Sequence, residues 1–383
     1  MNFKPLKTFL DECLPRLSIP GSDTIIYKGH EEIFRYQSGY DNVREGTRVR
    51  PDAIYNMYSI TKVSLAISAM QLIERGEILA TDPLYAYFPE YKNVNVKVKL
   101  PDGTFDIRPA RNPILIKHLL SMTAGFNYNL NSPAINRVRE ATDGRCPTLE
   151  VIRALASEPL EFEPGEQFCY SLCHDVMGGV VELVSGMRLS EYMRVNIFEP
   201  LGMRDTHFKL PEGKSSRMAS QYTYDAPTKR ALEIPRSENP YRLGTEYDSG
   251  GAGVMSTVAD QILVADALTH MGKGKSGERI LSPYTVELMR SNLLTDTQLT
   301  TTDFLNAEHL RGYGYAYGVR TNLNPSVSGN LMPKGEFGWD GAKLSYLSAC
   351  PESKISIFHA EHMGAHHRNV IPRLRNVIYS CID

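Results

Sequence analysis

The sequence predicts an α/β (α+β) molecule in which an antiparallel sheet flanked by helices is assembled from both ends of the chain, with a mostly helical lobe inserted between. Three observations lead there. The 383 residues exceed one ordinary core at roughly 150 residues per domain, so two lobes are expected. Strand-like runs occur near the start and again after residue 312, and the long stretch between them has helical periodicity. The order strands, helices, strands is that of a sheet interrupted by an insertion. It divides the chain into 1–81 plus 211–383 for the sheet lobe and 82–210 for the helical lobe, with a cleft where they meet.

The elements follow in order. Phe3, Leu6, Phe9, Leu10, Cys13, Leu14 and Leu17 recur at helical spacing among charged residues, which predicts a packed first helix. It lacks the continuous apolar core and small-residue cleavage site of a signal peptide. Thr24 to Lys28 and Glu32 to Ser38 read as two short strands joined by a glycine-containing turn. Ile60 to Arg75 reads as a helix whose stripe is Val63, Ile67, Met70 and Ile73, with Gly76 as its stop. Strand character returns in Gly312 to Thr321, Lys343 to Ala349 and Lys354 to Ala360, before a closing helix from Asn369 to Ile382.

Composition narrows the function classes. Lys and Arg number 42 against 44 Asp and Glu, a net charge of −2, so there is no general pull toward nucleic acid or anionic lipid. No stretch approaches the roughly 18 apolar residues of a membrane span. Six cysteines without paired CxxC spacing indicate neither a disulfide framework nor a zinc ribbon, and with no leader they predict a reducing, cytoplasmic setting.

Several familiar signatures fail on context. Gly272-Lys273-Gly274-Lys275-Ser276-Gly277 matches GxGxxG, but it follows a helical segment instead of linking strand to helix, and it reads as a turn. No GxSxG is present. His359, His362, His366 and His367 crowd together, yet no carboxylate or cysteine set converges on them, so a polar loop is expected there and no metal or cofactor is assigned.

The chemistry-bearing feature is Ser59-Ile60-Thr61-Lys62. Chance alone supplies about one SxxK in a chain of this composition, so context must carry the argument. Ser59 opens an amphipathic helix, where free N–H groups and the positive dipole end favour developing negative charge. Lys62 lies one turn on, along the same face. A serine hydroxyl needs an adjacent base, and a lysine serves only if burial or a cationic neighbour lowers its pKa. The residues alone equally allow an N-cap serine beside a surface lysine.

With that motif in hand, the chain resembles the superfamily of class C β-lactamases, penicillin-binding proteins and family VIII carboxylesterases. The likeness continues through ILIKHLLSMTAGF (114–126), FCYSLCHDVMGGVVELVSG (168–186), IFEPLGMRDTHF (197–208), GGAGVMSTVAD (250–260) and FGWDGAKLSYLSACPE (337–352). Five segments in the family's order are specific where any one is weak. The resemblance implies a β-lactamase/transpeptidase-like fold, Ser59 as the acylated nucleophile, Lys62 as its deprotonating partner and Tyr170 as a proton shuttle. It further implies an oxyanion hole from the N–H groups of Ser59 and Ala342, with Gly341 at the backbone-permissive position.

Two departures bear on substrate. Leu172 stands where β-lactam-processing relatives have an amide, and Trp339 with Asp340 replaces a carboxylate-attracting lysine, which disfavours an anionic ligand. Both look like the esterase branch and make Leu172, Trp339, Asp340 and Gly341 expected substrate contacts. The expected activity is acyl-enzyme hydrolysis of a small-molecule ester. The alternatives are β-lactamase or D,D-peptidase action on an amide, acyl transfer, and a catalytically silent binding protein of the same fold. Oligomeric state is not legible.

Overall fold

The computed structural model describes residues 1–302, 304–305, 307–364 and 367–382. Its centre is an eight-stranded antiparallel sheet built from β1 (Gly21–Lys28), β2 (Glu31–Asn42), β3 (Thr47–Arg48), β4 (Tyr313–Tyr315), β5 (Arg320–Asn322), β6 (Phe337–Asp340), β7 (Ser345–Cys350) and β8 (Ile355–Ala360). The spatial order is β4-β5-β6-β7-β8-β1-β2-β3. Strand β8 is the seam between the two ends of the chain: it pairs with β1 from Asp23↔Ala360 to Lys28↔Ile355, and with β7 from Ser345↔Ala360 to Cys350↔Ile355.

Both faces of this sheet are covered, which is why every residue of β7 and β8 is buried, the polar Ser345, Ser348, Ser356 and His359 included, with no alternation of buried and exposed positions. Successive side chains point to opposite faces, so neighbours enter different cores. Ile25, Leu347 and Phe358 join the larger apolar cluster, whereas Ile26, Tyr346 and Ile357 join a smaller one. The smaller cluster is closed by Leu6, Phe9, Leu10 and Leu14 of the first helix and by Val370, Ile371, Leu374 and Ile378 of the closing helix, His367–Ser380. The larger runs without a break through Leu65 and Ile67 of the Thr61–Glu74 helix to Leu119, Val151 and Val180 of the 82–210 segment. No helix among the described residues is long and apolar enough to cross a membrane.

The structure differs from the sequence reading in particular places. Gly312 to Thr321, expected as one strand, is the hairpin β4–β5, reversed at Gly318 with φ of 81°. A Cβ at Gly318 would stand 2.6 Å from Ala66 Cβ, so only glycine allows this turn to rest against the Thr61–Glu74 helix. The 82–210 stretch is not helical throughout, because Asn95–Lys99 and Phe105–Pro109 form a hairpin. GKGKSG is a turn, with Gly277 N–H donating to Gly274 O.

Candidate active site

The chain reaches Ser59 through a short ladder, Tyr55–Asn56 against Met255–Ser256, and then a 3-10 turn, Tyr58–Ile60. Tyr58 holds φ at 47°, a strained conformation for a bulky residue. Its buried hydroxyl donates to Gln221 Oε1 at 2.5 Å and lies 3.0 Å from Glu238 O, which secures the bend. The bend presents Ser59, half-buried, at the start of the Thr61–Glu74 helix, where first-turn N–H groups lack partners within the helix.

Lys62 is not a surface lysine: it is 0% exposed. Its ammonium donates to Gly251 O at 2.8 Å, to Ser59 Oγ at 3.3 Å and to Tyr128 Oη at 3.3 Å. Burial pushes its pKa down to about 7, opposed by the charges of Asp175 and Cys173. Gly251 makes the contact possible, since a Cβ there would meet Asp175 Oδ2 at 2.5 Å and Lys62 Nζ at 3.3 Å. Asp175, in the first turn of the Cys173–Ser185 helix, accepts on Oδ1 from Tyr247 Oη at 3.0 Å and Ser249 Oγ at 2.7 Å; burial raises its pKa.

Tyr170 closes the set from the loop before that helix. Its hydroxyl accepts from Trp339 Nε1 at 3.1 Å. Burial raises its pKa well above the ordinary tyrosine range, against the lowering effect of the Ser59 and Trp339 side chains, so it rests as a neutral phenol. Lys62 Nζ lies 4.7 Å from the Tyr170 ring centroid.

These groups open into a cleft of about 390 Å³ lined by Tyr128, Tyr170, Tyr241, Phe304 and Trp339, together with Ser59 and the run Asp340, Gly341, Ala342. Phe304 stacks on Tyr170 at 4.8 Å and 9°, and Trp339 at 5.6 Å. Gly341 is forced by close approach: a Cβ would stand 2.1 Å from Ser345 Oγ and 2.6 Å from Met57 O, the backbone leading into Ser59.

Of the residues expected here, Ser59, Lys62, Tyr170, Trp339, Asp340, Gly341 and Ala342 come together, and Leu172 does not. Leu172 is 3% exposed, packs in the larger core and lines a separate small cavity with Phe126 and Asn127. Asp340 lines the cleft, but its charge is answered from behind by the buried Arg320, at 3.3 Å. The repulsion of anions expected from Asp340 is weakened accordingly, leaving the Trp339 wall as the main bar to a carboxylate. Tyr128, Tyr241, Phe304 and Asp175 were missed. Tyr128, Tyr241 and Phe304 stand on connecting segments with no periodic signal, although Tyr128 lies only two residues beyond the 114–126 segment.

Among the described residues, the histidines of the C-terminal run do not converge on a second centre. His359 bonds Thr24 Oγ1 at 2.7 Å and Glu361 Oε1 at 2.9 Å inside the sheet, and burial lowers the pKa of His362 to about 3. His366 lies outside the described residues, and His367 opens the closing helix. Elsewhere, His30, Asp266 and His270 have donor atoms within 4.8 Å of one another. The two imidazoles stack 3.5 Å apart at 22°, and each Nδ1 faces a carboxylate oxygen of Asp266, at 2.7 Å for His30 and 3.3 Å for His270.

The chain matches the family model described as Beta-lactamase over residues 6–360. It is 28% identical over 358 residues to Esterase EstB of Burkholderia gladioli, covering 88% of this chain and 84% of that one. It is 25% identical over 361 residues to Acyltransferase calJ of Penicillium decumbens, covering 90% and 84%. The solved structure of EstCE1, described as a hydrolase with promiscuous acyltransferase activity, superposes with a TM-score of 0.79 at 25% identity over 98% of each chain. With its sheet, its helical segment and its Ser59-Lys62-Tyr170 cluster in one frame, the chain belongs to the Beta-lactamase family.

Proposed function

We propose that the protein is a serine hydrolase that cleaves small, uncharged carboxylic esters through an acyl-enzyme on Ser59. The observation that carries this reading is Lys62: fully buried, 3.3 Å from Ser59 Oγ and shifted to a pKa of about 7, it holds a substantial fraction of neutral amine at neutral pH. Lys62 accepts the Ser59 proton as Oγ bonds to the ester carbonyl carbon. The oxyanion faces the Ser59 and Ala342 N–H groups, each such donor supplying about 3 to 4 kcal/mol. When the C–O bond breaks, Tyr170 gives its proton to the departing alcohol. The resulting phenolate is stabilised by the Trp339 N–H and the Lys62 ammonium. It then takes a proton from water, whose hydroxide attacks the acyl-enzyme, and Lys62 returns its proton to Ser59. All three groups end as they began.

The aromatic cleft, which no lysine or arginine lines among the described residues, suits an apolar acyl or alcohol group better than a carboxylate. β-Lactam and D-Ala-D-Ala substrates carry that carboxylate, so nitrocefin is expected to be a poor substrate. A Leu172→Asn change is not expected to improve it, since that side chain does not reach the cleft. Acyl transfer is the second reading, supported by the names of calJ and EstCE1, and shares every step up to the entry of an alcohol in place of water. The test is covalent labelling by a fluorophosphonate together with p-nitrophenyl butyrate turnover. Both should vanish in Ser59→Ala; turnover that survives the change refutes the assignment, and absence of both in the unmodified protein leaves the silent binding protein.

A further inference from the structure

A cavity of about 1130 Å³, larger than the cleft that holds Ser59, lies apart from it. The two are separated by the segment 236–248, which turns Tyr241 toward the cleft and Arg236, Arg242 and Tyr247 toward the larger cavity. The charge of that lining is unbalanced. Five cationic side chains, Arg188, Arg194, Lys209, Arg236 and Arg242, face two carboxylates, Glu191 and Asp248. Both carboxylates are already taken, Asp248 by Arg188 at 2.8 Å and Glu191 by Arg194 at 2.5 Å. Of the remaining three cations, Arg236 has only Asp41, at 3.8 Å, and Lys209 and Arg242 have no ion-pair partner among the described residues.

Arg242 is the most telling of them. Its Nε is buried without a hydrogen-bond partner, and Nη2 makes only long contacts, 3.5 Å to Asn56 Oδ1 and 3.4 Å to Gly253 O. A half-buried guanidinium with this much unused donor capacity is suited to a carboxylate or phosphate, which it can grip with two parallel N–H groups. Beside these cations the same cavity presents apolar surface from Phe208, Leu210, Met218 and Met255.

We propose that this cavity is a second binding site, for an amphiphilic anion: a small molecule whose apolar chain lies on Phe208, Met218 and Met255 and whose carboxylate or phosphate head is held by Arg242, Arg236 and Lys209. The site is independent of the chemistry assigned to Ser59, so its test uses the Ser59→Ala protein and stands whether or not that assignment does.

The experiment is calorimetric titration of octanoate, octyl phosphate and, as the uncharged control, octanol. Saturable binding of either anion at a single site, weakening as salt is raised and not shared by octanol, is the expected result. Whichever anion binds more tightly identifies the head group. Arg242→Met should weaken binding about tenfold or more, the scale of one charge-assisted contact. Lys209→Met, at an exposed position that cannot disturb the core, should weaken it in the same direction, and Arg242→Lys should recover part of the loss. A Trp339→Ala change, in the catalytic cleft, should leave binding intact. Anions that bind no better than octanol, an affinity indifferent to both methionine variants, or a loss confined to Trp339→Ala would overturn the proposal.

Discussion

A lysine side chain in water keeps its proton at pH 7 by more than three units of margin, with a reference pKa near 10.4. Lys62 loses that margin because water is gone and only neutral oxygens, Gly251 O, Ser59 Oγ and Tyr128 Oη, are within hydrogen-bond reach of its ammonium. In the proposed mechanism the neutral amine is the active form, so kcat/KM for p-nitrophenyl butyrate should rise tenfold per pH unit below about 7 and level off above it. Tyr170 would act in its protonated form and its pKa is raised, so the plateau should hold through about pH 9. Lys62→Arg, which cannot shed its proton, should lower kcat by about a thousandfold or more. An ascending limb near pH 10 in the unmodified enzyme would mean that burial does not set the base. Trp339→Phe makes a narrower test, since it keeps an aromatic wall while deleting the N–H that Tyr170 accepts. One hydrogen bond is worth about 1 kcal/mol, so kcat should fall about fivefold with KM little changed, read from steady-state kinetics.

Strand β6 and its neighbours show what an element adds beyond its own residues. Arg320 of β5 is 0% exposed and lies between two carboxylates, Glu336 at 3.0 Å and Asp340 at 3.3 Å; Ser348 of β7 also donates to Glu336. The charge group therefore ties three strands together directly behind the Trp339 wall. Removing the cation strands two buried acids, so Arg320→Met should cost about 3 to 5 kcal/mol in denaturant unfolding, and adding Glu336→Gln should recover part of that. If the double variant proves no more stable than the single one, the network is not what holds these strands. None of this was legible in the sequence. Strands β1, β2, β7 and β8 fell within segments that read as strands, and Gly312 to Thr321 showed strand character without revealing that it folds back as β4 and β5, whereas the four residues of β6 are too few to show a period. The Ser59 helix was legible because its stripe, Val63 to Ile73, runs for about three turns, and Tyr170 because it sits in a motif whose order along the chain is informative.

On the scale of the whole molecule, the groups proposed to be catalytic sit on one side of a sheet whose other side is closed by the two terminal helices, and each side has its own core. The cleft gathers residues 59, 128, 170, 241, 304 and 339, a span that only the assembled sheet and helical segments bring within reach, which is why its aromatic wall escaped a linear reading. The two cores should respond differently to the same injury. Leu374 belongs to the smaller cluster and Leu65 to the larger, and both are 0% exposed, so truncating either to alanine should cost about 2 to 5 kcal/mol. Leu65 lies on the helix that carries Ser59 and Lys62, and its Cδ2 stands 3.2 Å from where a Cβ on Gly250 would be, one residue from the carbonyl that holds the lysine. Leu374 has no such connection. Assayed well below their melting temperatures, Leu374→Ala should keep the unmodified kcat/KM while Leu65→Ala lowers it and moves the acidic limb of the pH profile, because a loosened Gly251 loop readmits water to the amine. Equal loss of activity in the two variants would show that the sheet couples its faces too tightly for either core to be spared.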